Sequence, residues 1–438
     1  MKKIIAVLLI IAICLAVASC MPNLQKYAVR FADEKIDVSL ADLRNEEYLA
    51  FLNKIEVFST KLTTEVYSSV GEGRNFCISP VSVYMALALA CECSDGETRQ
   101  EILDAVGVTY EEVSAFSKYL YAFRNREYKY LDEFDKENIA GHENLANSIW
   151  INDGSIYDPA CVNKLASNYN CDVFSASFRN GTAQKMINQY IEYKSHGVIS
   201  GGVEFSKETF FSIINVFHMQ EVWNSLGKHL TLTLEYYQFE NFDGDTTKTQ
   251  LLKGNYVNGR VYEDENFSSF FVETAHGYRL HFIVPNESTK LIDVFNQENI
   301  SKVLSIEDYG YVDEENLQLH HTRVYFPEFT TSYSGNIGSI LSEKFEINSL
   351  FDAEKCNFSP LIQGSNAYCN GIVHKCLLKV DSHGIEGAAI TSISASTSPS
   401  PSEYENVYHD FIIDKSFGFV LTDSYGTILF SGVISTLD

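Results

Sequence analysis

From residue 48 onward, apolar side chains recur at helical spacing. Leu49, Leu52, Ile55, Phe58, Leu62 and Val66 predict one face of a helix over 48–70, closed by Gly71 and Gly73. Residues 75–78 read as a short buried strand. Ser79-Pro80 then marks a helix start, with Ser79 as N-cap and proline at the first helical position. That helix, 81–93, is apolar nearly all round, which predicts a central place in the core. Asp95-Gly96 turns the chain into an amphipathic helix over 97–106. Residues 109–143 are charged and rich in tyrosine, and predict a helix followed by a variable loop. Residues 145–152 and 172–175 read as strands, 159–168 and 183–195 as helices.

From residue 210 the composition shifts toward β-branched and aromatic residues. Strands are predicted at 211–218, 230–239, 249–257, 267–274, 278–284, 317–326, 372–380, 411–413, 418–422 and 428–433. A helix at 337–344 and the stretch 291–304 interrupt them. Helices first and strands later imply an α+β fold. One segment breaks the pattern. Between Val380 and Asp410 there is no Lys or Arg and few large side chains. Its second half has the Ser, Thr and Pro of a surface linker. Its first half alternates like a strand. One face carries Ile385, Gly387, Ala389, Thr391, Ile393 and Ala395, and the other Glu386, Ala388, Ile390, Ser392, Ser394 and Ser396. The first face is small or apolar, fit for burial. An exposed segment able to become a central strand is one reading, and a disordered linker is the other.

The chain has 438 residues, 45% of them hydrophobic, enough for a large core and too many for global disorder. A formal charge of −25 repels phosphate backbones, so no nucleic-acid partner is expected. Lys2 and Lys3 precede an apolar run over 4–17 and the small residues Ala18 and Ser19, the layout of a secretory signal. The run is short for a membrane span. Val17-Ala18-Ser19-Cys20 resembles the bacterial lipobox, in which the cysteine is lipidated and becomes the mature N-terminus. An ordinary cleaved signal, with Cys20 incidental, is the alternative. The expected layout is a signal over 1–19, lipidated Cys20 with a polar tether over 20–47, and one domain over 48–438. Lipid would hold that domain outside the cell, on the outer face of a bacterial membrane.

Of the 10 cysteines, Cys14 would leave with the signal and Cys20 would carry lipid. The rest show no small-domain disulfide framework. Cys91 and Cys93 on an apolar helix, and Cys77 and Cys376 in apolar runs, read as buried free thiols. Cys91-x-Cys93 has no second pair or nearby histidine, so no metal site is expected. There is no phosphate-cradling glycine loop, no H-E-x-x-H and no G-x-S-x-G. His320-His321 at a strand start reads as an exposed pair. Neither an enzyme nor a cofactor is supported.

Six segments, in order, carry a family resemblance. Asn75-Phe76-Cys77-Ile78-Ser79-Pro80-Val81-Ser82 resembles the N-x-x-x-S-P-x-S segment of the serpins, and 96–103 (GETRQEIL) their G-E-T-x-x-E-I-L helix start. Leu145-Ala146-Asn147 resembles the L-A-N strand, and 214–223, from Ile214-Asn215 to Trp223, the run that ends in tryptophan. His374-Lys375 before Val380-Asp381 resembles the strand leading into the reactive loop. Gly426-Thr427-Ile428-Leu429-Phe430-Ser431-Gly432 resembles the C-terminal G-x-I-L-F-x-G.

The resemblance implies about nine helices, three β-sheets and an exposed reactive loop near the C-terminus. It also implies a protease inhibitor acting as a suicide substrate: the loop is cut, then inserts into the main sheet and drags the protease with it. Gly384 would begin the hinge, with Ile385, Glu386, Gly387, Ala388, Ala389 and Thr391 entering the sheet first. Ile385 stands where Thr or Ser is usual, and Gly387 where Ala is usual. Ser79, Ser82, Asn215 and His374 would form a cluster where the sheet opens, with Trp223 near its top. The family's spacing puts the reactive bond at Thr397–Ser398, since Ser398–Pro399 is a poor substrate. With no Lys or Arg nearby, the expected partner is an elastase-like, subtilisin-like or cysteine protease, met by a monomer. A non-inhibitory member, acting as a protease substrate or as a binding or scaffold protein, is the alternative that Ile385 and Gly387 favour.

Overall fold

The computed structural model describes residues 24–32, 38–131, 137–199, 202–223, 230–257, 261–306, 312–313, 318–363, 369, 372–385 and 405–437. After a short turn, the chain forms β1 (Ala28–Arg30), α1 (Leu40–Leu43), α2 (Glu46–Val70) and β2 (Phe76–Ile78). Then come α3 (Pro80–Cys93), α4 (Gly96–Val106), α5 (Tyr110–Phe123), β3 (Asn125–Leu131) and β4 (Glu137–Asn152). Next are α6 (Pro159–Asn168), β5 (Cys171–Ala176), α7 (Thr182–Lys194) and the long β6 (Phe211–Val222). Strands follow: β7 (Thr231–Leu232), β8 (Tyr237–Glu240), β9 (Thr246–Thr249), β10 (Leu251–Val257), β11 (Tyr262–Glu263), β12 (Phe267–Glu273) and β13 (Arg279–Pro285). Helices α8 (Leu291–Val294) and α9 (Gln297–Leu304) lead to β14 (Val312–Asp313), β15 (Gln318–Pro327), β16 (Phe329–Asn336) and α10 (Gly338–Phe345). The chain closes with β17 (Val373–Val380), β18 (Gly384–Ile385), β19 (Glu405–Ile412), β20 (Phe417–Thr422) and β21 (Ile428–Ile434).

The expected α+β fold is present, with three main sheets and one small ribbon. The main sheet runs β1-β5-β4-β6-β18-β17-β16, with β3 paired to β4. The second runs β11-β12-β13-β20-β21-β2. The third runs β14-β15-β10-β7, with β19 parallel to β15, and β8-β9 is the ribbon. Helix α3 is buried along its whole length, as its all-round apolar sequence predicts. It packs on β6 and β21, between the main and second sheets. Helix α7 covers the other face of the main sheet, where Trp150, Phe174, Tyr190, Ile214 and Val216 form a separate core. Local signals fix the ends. Thr109 and Glu112 form a capping box on α5, and Asp158 caps α6 ahead of Pro159.

Several sequence expectations are corrected. The loop expected before residue 143 is instead the hairpin β3–β4, and β4 reaches back to Glu137. The strand expected over 230–239 is two short strands, and β16 was not expected at all. Residues 24–32, expected in the tether, pack on the domain: Ala28 pairs with Phe174 and Arg30 with Val173. Ser79 occupies the N-cap position of α3, but its hydroxyl makes no capping bond.

A buried charge cluster joins three elements. Arg124, at the end of α5, pairs with Glu143 of β4 (Nη1–Oε2 3.0 Å) and with Asp423 in the turn between β20 and β21, and Tyr278 donates to Glu143. Burial alone would lower the Arg124 pKa, but the Asp423 and Glu143 carboxylates override it and hold the guanidinium charged. Arg124→Met leaves two buried carboxylates uncompensated. The expected loss is about 3–5 kcal/mol, read as a lower denaturant midpoint; an unchanged midpoint would rule the cluster out as a structural tie.

His281 of β13 is fully buried, and burial, followed by the nearby Arg279 charge, pushes its pKa down to about 3. The folded chain therefore favours the neutral ring. Its contribution is complete above the unfolded value of about 6.5 and is lost as pH falls from there toward about 3. Stability should drop by about 1.4 kcal/mol per pH unit through that window on account of this group. His281→Asn should flatten the pH profile of the denaturant midpoint there.

Candidate functional site

The main sheet has a seam. Strand β6 pairs with β4 on one side, and β17 pairs with β16 on the other. No ladder joins β6 to β17 among the described residues; only β18 lies between them, at one end of the seam. Gly384 pairs with Val222, and Ile385 pairs with both Glu221 and Val380.

A tight turn makes this wedge. Asp381 and Gly384 exchange backbone hydrogen bonds of 3.0 and 3.2 Å, which doubles the chain back from β17 into the seam. Asp381 Oδ1 also accepts from the His383 amide (2.8 Å), and Oδ2 meets the Lys379 ammonium at 2.7 Å. Burial would raise the Asp381 pKa, but Lys379 and the His383 amide hold it below the usual carboxylate range. Trp223 donates Nε1–H to the Asp381 carbonyl (2.7 Å), and the Ser382 amide donates to Glu328 (2.7 Å). Gly384 is required by close approach: a Cβ there would run into the Glu221 carbonyl and come within 2.9 Å of Val222 Cα. The expected hinge start and the expected tryptophan are thus in direct structural relation.

Ile385 is wholly buried in the main core, together with Phe217, Met219, Cys376, Leu378 and Val380. Bulk at this position is accommodated by the core. Opposite it sits Glu221, also buried, whose carboxylate meets His276 Nδ1 at 2.8 and 3.0 Å and accepts from the Val222 amide. His276 stacks on Tyr128 at 3.8 Å. Burial raises the Glu221 pKa and His276 opposes the rise. Sequence reasoning missed this pair. It ended the strand at residue 218, so the carboxylate two residues before Trp223 did not register as buried.

Further along the seam, the expected cluster is partly assembled. The Ser79 amide donates to His374 Nε2 at 3.1 Å. Ser82 is buried one turn along α3. Asn215 donates to Asn147 Oδ1 (2.6 Å), which ties β6 to β4. The Ser79 hydroxyl and Asn215 Oδ1 have no hydrogen-bond partner among the described residues. A cavity of about 160 Å³ opens at this end, against Ala86, Phe211, Ile213, Asn336 and Ile372. A smaller one, about 40 Å³, lies between β6, Lys375 and the segment that follows α7. Cys77 and Cys376 are both buried free thiols, their sulfurs 3.4 Å apart.

Glu386, Gly387, Ala388, Ala389, Thr391, Thr397 and Ser398 lie outside the described residues, as does Cys20. The chain is described again at β19, eight residues parallel to β15, where Asp410 grips Arg323 (2.5 and 2.9 Å). His320 and His321, expected to be a simple exposed pair, bond across this ladder to His409 (2.8 Å) and Asn406 (2.7 Å). The uncovered segment therefore runs from a wedge in the main sheet to an anchored strand in the third.

Comparison with known proteins adds to this geometry. The chain is 23% identical over 389 residues to an antitrypsin of Bombyx mori, covering 86% of this chain and 91% of the relative. It is 22% identical over 404 residues to human leukocyte elastase inhibitor, covering 88% and 100%. Among solved structures it resembles Serpin48 of the insect Tenebrio molitor, with a TM-score of 0.71 at 20% identity, covering 90% of this chain and all of that one. The model of the family described as serpin (serine protease inhibitor) matches residues 53–437, and the chain belongs to that family.

Proposed function

We propose that the chain inhibits proteases as a suicide substrate, its cut loop completing the strand that β18 begins. The observation that carries this reading is β18 itself, which already occupies one end of a seam otherwise unpaired among the described residues. Continuing its register would set Gly387 opposite Met219 and Leu378, and Ala389 opposite Phe217 and Cys376. Thr391 would fall opposite both Asn215 and His374, where a hydroxyl can reach polar atoms now unsatisfied. Each of these positions shares the face of Ile385, and that face points into the core. The charged Glu386 falls on the opposite face. The register reaches the end of β6 at Ala395, so a cut at Thr397–Ser398 would come to rest just past it. A protease held there would have moved about 40 Å. Each ladder bond gained contributes about 1 kcal/mol, so the uncut state is metastable and held by a barrier.

The targets we propose are elastase-like, subtilisin-like or cysteine proteases, and the inhibitor acts as a monomer. Elastase, subtilisin and papain should each be mixed with the domain and examined for an SDS-stable complex. At least one should form it, and loop cleavage should raise heat resistance. A cut chain with neither complex nor added stability would instead assign it to the non-inhibitory members. Thr391→Arg puts a charge into the seam, which burial strongly penalises. That variant should be cut normally and form no complex.

We also propose export and lipidation at Cys20, on the outer face of a bacterial membrane. Because residues 24–32 pack on the domain, only 21–23 would separate it from the lipid. That span is about 10 Å, so the domain would ride close to the surface rather than on a long tether. Expressed in a bacterial host, the wild type should fractionate with membranes and Cys20→Ser with the soluble phase. Equal partitioning of the two would remove the anchor from the account.

A further inference from the structure

Three histidines distant in sequence meet on the α7 side of the main sheet. His142 lies on β4, His218 on the neighbouring β6, and His196 in the turn that leaves α7. One ligand nitrogen from each lies within 4.8 Å of the other two. The ring centroids form a nearly equilateral triangle of 4.9, 5.0 and 5.1 Å. His142 Nε2 and His218 Nδ1 are 2.9 Å apart. His218 is buried, His142 half-buried and His196 exposed, so the triangle is rigid at its base and open to solvent at one corner.

The third corner is held by a specific device. His196 has φ of 53°, the left-handed position just past a helix end that glycine usually fills. Its amide bonds to the Tyr193 carbonyl, and the Gly197 amide to Glu192, closing the helix. Asn144 of β4 donates to the Lys194 carbonyl at 2.7 Å and pins the helix end to the strand beside His142. A side chain with a Cβ is thus kept where the backbone favours none, and the turn brings its ring to the other two.

The geometry points to a site for a divalent transition metal, zinc by preference, with His142, His196 and His218 as its three protein ligands. Neutral imidazole nitrogens suit Zn²⁺, and also Cu²⁺ and Ni²⁺. Tetrahedral zinc needs ligand nitrogens roughly 3.3 Å apart, so the His142–His218 pair would open by a few tenths of an ångström. The solvent-facing corner leaves the fourth position to water. No sequence spacing announces this set, because the three residues come from three elements. The expectation of no metal site rested on local spacing, the lack of a second pair or a nearby histidine around Cys91-x-Cys93 and the lack of H-E-x-x-H.

The ion would also act on the seam. Beyond His196, Ile199, Val203 and Phe205 lie against β6, and the Gly202 carbonyl accepts from Lys375 of β17 at 3.1 Å, one contact on each side of the seam. Metal at the histidines would pin the start of this segment to β4 and β6, and so slow strand insertion. That consequence rests on the inhibitory reading, but metal binding does not.

The test is titration of metal-stripped full-length protein with Zn²⁺ by calorimetry at neutral pH. One equivalent should bind with micromolar affinity or better. His196→Gly should weaken binding tenfold or more. Because glycine suits the left-handed position, it should leave the melting temperature of the metal-free protein unchanged or higher. His142→Ala should weaken binding likewise, and Co²⁺ should give visible bands in the wild type that His196→Gly lacks. No stoichiometric Zn²⁺ binding by the wild type, or equal affinity in His196→Gly, would overturn the site. A lowered melting temperature in metal-free His196→Gly would overturn it too, by assigning His196 a purely structural role.

Discussion

Among the described residues, two strand edges inside the main sheet stand without partners over most of their length, and much else in the molecule follows from that constraint. Unpaired edges usually occur at the rim of a sheet and are kept short or polar. Here the rims obey that rule. Strand β1 is three residues long, and β16 alternates exposed Thr and Ser with buried residues. The interior edges of β6 and β17 do not. They sit over an apolar core that includes Phe217, Met219, Cys376 and Leu378. The Ser79 hydroxyl and Asn215 Oδ1 lie along the same line without partners among the described residues. Each such buried group costs about 1–3 kcal/mol.

The elements that flank the seam are each tied down. The Asp381–Gly384 turn is tied by Trp223, Glu328 and Lys379, which fixes where a new strand begins. Strand β19 is tied by Arg323–Asp410 and the histidine bonds, which fixes where the loop ends. Beyond α7, Ile199, Val203 and Phe205 lie against β6, and Gly202 touches β17 through Lys375. The buried Arg124–Glu143–Asp423 cluster and α3 tie the body together away from the seam.

Much of this was legible in the sequence because the relevant signals are local. An apolar helix with no polar face could only be central, and α3 is. Alternation from Ile385 onward announced a buried face, and Ile385 is buried. What could not be read depends on partners distant in sequence. Residues 125–131 have the Glu, Lys and Asn of a loop and become a strand because β4 offers them a ladder. Residues 28–30 carry no strand pattern and pair with β5 by tertiary contact alone. Strand β16 lacks an apolar alternation because only its first half is well buried. Glu221 and His276, or the three histidines, come together only once strand order is known. Ser79 looked like an ordinary cap, yet burial leaves its hydroxyl idle while its amide serves His374.

Strand β19 carries one more implication. Were the loop to enter the seam uncut as far as Ala395, it would descend about 33 Å from Ile385. Residues 396–404 would then have to climb back to Glu405 with roughly 30 Å of fully extended chain. The return leg would be taut at best, so on the inhibitory reading a single intact peptide bond would be the safety catch, and whichever enzyme breaks it would supply the release itself.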